Sequence, residues 1–206
     1  KVIVGYWEDR QVQERIASWM RTAIGIMESS HIRVMRVADN MRNVAVTEGD
    51  KVEAQIKFGW EVDAYPVNEI AEAVEAVGKA DVDTLVEEYY DKYQILLEGR
   101  DEAEFRRHVA VQAQIEIGFE RFLEEKNYQA IVTHFGDLGS LKQLPGLAIQ
   151  RLMQKGYGFG GEGDWKTAAM VRLMKIMAQN TPNAKGTSFM EDYTYNLVPG
   201  KEGVLE

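Results

Sequence analysis

Apolar residues recur along this chain in two alternating rhythms: short dense runs that suit strands and longer stretches at helical spacing. Residues 2–6 read as a buried strand. Asp9 then opens a helical pattern in which Val12, Ile16, Trp19, Met20, Ala23 and Met27 share a face. Ile32, Val34 and Met35 to Val37 predict the next strand, and the polar turn Asp39-Asn40-Met41-Arg42 follows it. A loop at the carboxyl end of a parallel strand is where α/β sheets bind ligands.

Glu48-Gly49-Asp50 is a turn, with Asp50 placed to cap a helix from Lys51 to Phe58. Val52, Ala54, Ile56 and Phe58 also alternate as a strand would. Helix is the better reading, because Gly59 can end it and a strand at 60–65 follows directly. Helices are predicted at 68–77, 83–97 and 101–126. On the last, Phe105, Val109, Ile115, Phe119 and Phe122 form one broad stripe, with Gln112 the polar exception. A short strand at 128–133 leads through a loop at 135–144 to a helix opening with Pro145, a favoured first-turn residue. Asp164 can cap a helix running to about Ala178. Residues 187–195 are strand-like. Strands alternating with helices imply an α/β fold with a mostly parallel sheet.

At 206 residues the chain is long enough for one to two domains and for burying roughly 70% of the surface its unfolded form exposes. The net charge of -9 argues against nucleic acid and against an anionic membrane surface as partners, while leaving hard divalent cations open. There is no cysteine, hence no disulfide or thiolate chemistry, a pattern in keeping with a reducing, cytoplasmic setting. No stretch of about 18 apolar residues is present to span a membrane, and no signal peptide is evident. The first residues, Lys1-Val2-Ile3-Val4-Gly5, lack an initiator methionine, and Gly203-Val204-Leu205-Glu206 also reads as mid-structure. Both ends look cut from something longer.

The most informative local feature is the glycine cluster around Glu162. Gly156, Gly158, Gly160, Gly161 and Gly163 give a backbone that a ligand can approach closely. Glu162 lies just before a predicted helix start, where the helix dipole favours negative charge. The plainer reading is a solvated turn glutamate. Gly156, Gly158 and Gly161 match Gly-x-Gly-x-x-Gly, but a dinucleotide site needs that pattern directly after a strand. Here a helix is predicted before the glycines, so that use is set aside.

Glu191 sits in Ser188-Phe189-Met190-Glu191-Asp192-Tyr193-Thr194-Tyr195. On a strand, Phe189, Glu191, Tyr193 and Tyr195 would share one face. A carboxylate among three aromatics then needs a metal, a cation or a hydrogen-bond partner, unless it stands in solvent on an edge strand. His31 reads as a helix end and His108 as solvent-facing. His134, at the end of the 128–133 strand, is the better site candidate, and Asp137 is a weaker one of the same sort. Glu28 and His31 have Glu-x-x-His spacing only once, whereas a bundle-type metal site needs two such pairs.

The run from Leu144 through Met153, the run Gly156-Tyr157-Gly158-Phe159-Gly160-Gly161-Glu162-Gly163-Asp164-Trp165 and the segment 186–195 together resemble the L-arabinose isomerase family. Asp39-Asn40-Met41-Arg42 and the segment 44–56 resemble it too, so the resemblance covers essentially the whole chain. It implies a Rossmann-like three-layer α/β fold of the L-fucose/L-arabinose isomerase type. It divides the chain into the end of a first domain (1–32), a central domain (33–178) and the start of a third (179–206). It implies an aldose–ketose isomerase acting on L-arabinose, or on D-galactose, in a homo-oligomer that is commonly a hexamer. The family binds one divalent metal, typically manganese (Mn2+), through two glutamates and two histidines. Glu162 and Glu191 fall on those glutamates, as metal ligands and as the proton-transferring pair. The first histidine would fall just beyond Glu206, so this stretch alone is expected to be inactive.

Met41 and Phe135 match positions that line the family's sugar pocket. The loop Phe135-Gly136-Asp137-Leu138-Gly139-Ser140 departs from the usual run: Gly136 replaces a glutamate, Gly139 a histidine, and His134 stands where threonine is common. The residues leave two other readings open: a non-catalytic sugar-binding α/β module, and a glycosidase using the two carboxylates without a metal.

Overall fold

Four aspartates start four of the seven α-helices among the described residues. In the computed structural model, which describes residues 1–181 and the short strands Tyr195–Asn196 and Val204–Leu205, Asp9, Asp50, Asp101 and Asp164 each accept main-chain N–H groups at a helix N-terminus. The side chain supplies an acceptor that the first turn lacks, and its charge suits the dipole. The elements run α1 (Arg10–Ser29), β1 (Arg33–Val37), a 3-10 turn (Ala45–Thr47), α2 (Lys51–Phe58), β2 (Glu61–Tyr65), α3 (Val67–Glu75), α4 (Lys79–Lys92) and α5 (Glu102–Lys126). They continue with β3 (Ala130–Val132), α6 (Gly146–Gln154), β4 (Gly158–Gly160), α7 (Trp165–Ala178), β5 (Tyr195–Asn196) and β6 (Val204–Leu205). Gly59 at φ 78° and Asn127 at φ 58° end α2 and α5 in the left-handed conformation.

The four strands β1 to β4 form one parallel sheet in the order β2-β1-β3-β4. β5 and β6 pair antiparallel, separately. Alternation along β1 splits its side chains between two cores. Met35 and Val37, with Ile131 of β3, pack under α3, α5 and α6 through Ile70, Ile115, Phe119 and Leu152. Val34, with Ala130 and Val132, packs on the other face under α2 and α7 through Ala54, Trp165, Ala168 and Ala169. Helices on both faces of a parallel sheet make the three-layer Rossmann-like arrangement. A third cluster, Val82, Val86, Tyr89 and Ala113, joins α4 to α5.

Four sequence expectations need correction. Residues 2–6 form no strand, and Val2, Val4 and Tyr6 are exposed, since no described strand lies alongside to complete a ladder. The helix expected at 83–97 starts earlier, after Gly78, and stops at Lys92, leaving Leu96 in solvent. The ladder of the strand expected at 128–133 is confined to Ala130–Val132. No strand was expected among the glycines, yet β4 runs through them. A Cβ on Gly158 would collide with the Ala168 carbonyl, and one on Gly160 with the Asp164 carbonyl. Those glycines let α7 lie directly on the β4 backbone.

Candidate functional site

The chain leaves β1 for β2 on one side and later returns to β3 on the other. The carboxyl edge between β1 and β3 is therefore a topological switch point, where loops diverge and leave a crevice. Arg36, Val132 and Gly160 lie in one register line across β1, β3 and β4, so the segments after these strands start level with one another. They carry Met41, then His134 and Phe135, then Glu162.

Those segments are tied together through main chain. The Met41 N–H donates to the Glu162 carbonyl at 2.8 Å, and the Gly163 N–H donates to the Thr133 carbonyl at 3.2 Å. The β1 loop thus reaches over the end of β3 to meet the β4 turn. Gly163 sits at φ 83°, and a Cβ there would collide with Asn40 Cα, so glycine is required twice over. Three non-glycine residues of this edge, Ala38, Asn43 and Glu162, hold left-handed φ of 63°, 65° and 56°. Such conformations cost about 1–3 kcal/mol each and concentrate where a site over-determines its backbone.

Beneath the loop lies a buried cation. Arg36, 2% exposed on β1, donates to both carboxylate oxygens of Glu48 at 3.1 and 3.2 Å and also pairs with Asp39. The Trp165 indole donates to the same Glu48 carboxylate at 3.2 Å, and Lys166 Nζ donates to the Val46 carbonyl at 2.7 Å. Burial pushes the Glu48 carboxyl up. The Gly49 N–H, the Trp165 indole and the Arg36 guanidinium outweigh that and hold it at about 2, against an ordinary 4.5. The loop from Asp39 to Glu48 is therefore pinned to the sheet and to the first turn of α7, the helix that directly follows Glu162.

The structure brings the segments that carry Met41, His134, Phe135 and Glu162 to one edge of the sheet. Met41 and Glu162 are half-buried, Phe135 is 58% exposed at the rim, and His134 is buried. Asp137 is exposed in the loop beyond, while His31 and His108 are exposed elsewhere. Glu191 lies outside the described residues. Arg36 and Glu48 were not singled out from sequence, although an arginine inside the apolar run Val34-Met35-Arg36-Val37 demands a partner. Among the described residues, no three acidic or histidine side chains gather as a metal site. Glu162 supplies one half-buried carboxylate at this edge, a single hard-oxygen donor and not by itself a metal site.

A sequence model of the L-arabinose isomerase central domain matches residues 33–180, and one of the L-arabinose isomerase N-terminal domain matches residues 1–31. The chain belongs to the L-arabinose isomerase family. It is 54% identical over 205 residues to the L-arabinose isomerase of Geobacillus thermodenitrificans and 55% identical over 205 residues to that of Geobacillus stearothermophilus. It is 52% identical over 204 residues to that of Yersinia pseudotuberculosis. These matches take in 99–100% of this chain and 40% of each relative. The chain thus spans about 40% of the length of the curated relatives it matches. Among the described residues, no helix is long and apolar enough to cross a membrane.

Proposed function

We propose that this chain is the part of an L-arabinose isomerase that carries two of its site glutamates and part of its sugar pocket, in an enzyme converting L-arabinose to L-ribulose, or D-galactose to D-tagatose. The observation that carries this reading is the placement of Glu162. It stands at the switch point of the sheet, on a left-handed turn locked by the Met41 N–H, within a family-wide match.

The reaction moves a carbonyl from C1 to C2 of an open-chain aldose. A carboxylate takes the proton from C2, and the C2–H electron pair forms the C1–C2 double bond as the C1 carbonyl electrons move to O1. The same or a facing carboxylate returns a proton to C1, and the O2 hydroxyl proton passes to O1, which becomes the C1 hydroxyl as the new carbonyl forms at C2. Glu162 and Glu191 are the carboxylates proposed for this work and for holding manganese, which when bound supplies Lewis acidity toward the sugar oxygens. Met41 and Phe135 wall the sugar, and the exposed Phe135 ring keeps water from its apolar carbons. The same reading divides the chain into the end of a first domain, a central domain and the start of a third, and places the enzyme in the cytoplasm as a homo-oligomer, a hexamer.

The test is ketose formation from L-arabinose with manganese in the complete enzyme and its Glu162→Gln variant. Ketose in the first, lost in the variant and in chelator, supports the reading. A folded, manganese-loaded enzyme that forms no ketose from either sugar sinks it.

A further inference from the structure

Residues 161–164 connect β4 to α7, and two of them in succession are left-handed, Glu162 at φ 56° and Gly163 at φ 83°. Such a conformation at a non-glycine residue is held only where the surroundings over-determine it, so this turn keeps its shape only while both of its ends are fixed. The sheet fixes the β4 end. The α7 end is fixed from two sides. On the sheet side, the bare backbones of Gly158 and Gly160 let the helix rest on β4.

On the other side stands Glu48. The Trp165 side chain is 1% exposed, and its indole N–H donates to the Glu48 carboxylate at 3.2 Å. The same carboxylate accepts from Arg36 of β1 and from the Gly49 N–H at 3.0 Å. A second observation, independent of charge, sets this loop against the helix. A Cβ on Gly49 would lie 3.0 Å from Trp165 Cζ2 and 3.0 Å from Lys166 Cδ, so the main chain at Gly49 rests on those two side chains. Lys166 Nζ completes the seam by donating to the main-chain carbonyls of Val46 and Glu48. One carboxylate thus joins β1, the loop that carries Met41 and the first turn of α7. The Trp165 main-chain N–H donates to the Gly163 carbonyl at 2.9 Å, which ties that helix turn to the residue directly after Glu162.

We propose that Glu48 is a positioning residue for the isomerase reaction: through the Trp165 indole it holds the first turn of α7 where the Glu162 turn needs it, and so keeps the Glu162 carboxylate in place for proton transfer. This rests on the isomerase reading, in which Glu162 moves the proton. A reacting group displaced by about 1 Å can lose about 100-fold in rate. The loss belongs to the transition state, where a misplaced base fails, more than to the binding of the sugar.

The experiment uses the complete enzyme beside Glu48→Gln and Gly49→Ala, with L-arabinose as substrate, at a temperature well below each melting point. Glu48→Gln keeps the side-chain length and one acceptor oxygen but removes the charge that gathers Arg36, Gly49 and Trp165. It is expected to lower kcat about tenfold while the KM stays within about twofold of the parent. Gly49→Ala leaves every charge in place and presses the loop away from Trp165, so it should lower kcat in the same sense, by less. A Glu48→Gln enzyme that is folded by circular dichroism, melts lower and still turns over at the parent kcat shows Glu48 to be structural only and overturns the proposal. A loss that falls on KM with kcat unchanged overturns it too. If Glu48→Gln does not fold, Gly49→Ala decides: a parent-like kcat overturns the positioning role and a lowered kcat at parent KM supports it. If the parent makes ketose and both variants match its kcat, the positioning role alone fails. If the parent makes no ketose, the isomerase reading falls and the positioning role with it.

Discussion

Arg36 and Glu48 pair across the base of the β1 loop: a single nitrogen, Nη1, of a residue 2% exposed is shared between both oxygens of a carboxylate whose side chain is 41% exposed. The geometry is asymmetric, one partner dry and the other wet. Removing the wet partner leaves a buried cation with Asp39 alone. Glu48→Ala should therefore destabilise the protein by about 1–3 kcal/mol, below the loss for a fully buried pair because Glu48 is screened by solvent. Arg36→Met/Glu48→Ala, which removes both charges, should recover part of that loss. Urea denaturation of the three proteins measures it. A double variant less stable than the single would contradict the pairing argument.

The same carboxylate sets a pH dependence. Its folded value, about 2, lies below the ordinary 4.5, so the folded state holds fewer protons in that range. Its stabilisation is complete above about 4.5 and is lost as the pH falls toward about 2. The melting-temperature gap between parent and Glu48→Gln should be widest near neutrality and should close through that acid window. A gap that stays constant on acidification would remove Glu48 from the account.

Gly163→Ala should separate the β1 loop from the β4 turn. The new methyl meets Asn40 at a left-handed φ, so both strain and collision must be relieved by moving the segment that carries Met41. A stability loss of about 1–3 kcal/mol is expected, with a fall in L-arabinose turnover of about tenfold or more. Circular dichroism melts and steady-state kinetics of the complete enzyme check both.

Glu116 makes a contrasting prediction. Fully buried on α5, it accepts from Tyr89 at 2.6 Å, Arg151 at 2.7 Å and Lys155 at 2.9 Å, tying α4, α5 and α6 together. Glu116→Ala leaves Arg151, nearly as buried, with Glu88 and Tyr93 only, and should cost about 3–5 kcal/mol. This network lies under the α4–α6 side rather than at the carboxyl edge. The KM for L-arabinose should hold in whatever fraction stays folded, and an active-site titration at low temperature would show it.

Much of this could be read from residue types because the local rules agree with one another. Asp9, Asp50, Asp101 and Asp164 mark helix starts, Gly59 marks an end, and the apolar run through Val37 marks the central strand. Glu162 stands out from its glycines and the helix start that follows, Met41 and Phe135 from resemblance alone, and the fold brings the segments that carry them to one edge. β4 was hidden because its strand character rests on missing side chains: glycines at 158 and 160 carry no alternation to detect, and only the nearness of α7 explains them. The apolar face of α1 was legible as a helix but not as a buried surface. Ile16, Trp19, Met20 and Met27 remain exposed, since periodicity reports a face and not what covers it. Arg36 was missed for the opposite reason, a charge overlooked inside an apolar run.

The hydrogen bond from Met41 to Glu162 joins segments that the ribosome makes far apart in time. β1, β2 and β3 are all synthesised before β4 and α7, and long-range closures of this kind are slow steps in assembly. A nascent chain halted before Trp165 would hold the pocket-side loop without the helix turn that fastens it. Competence at this edge therefore arrives late, after most of the sheet already exists.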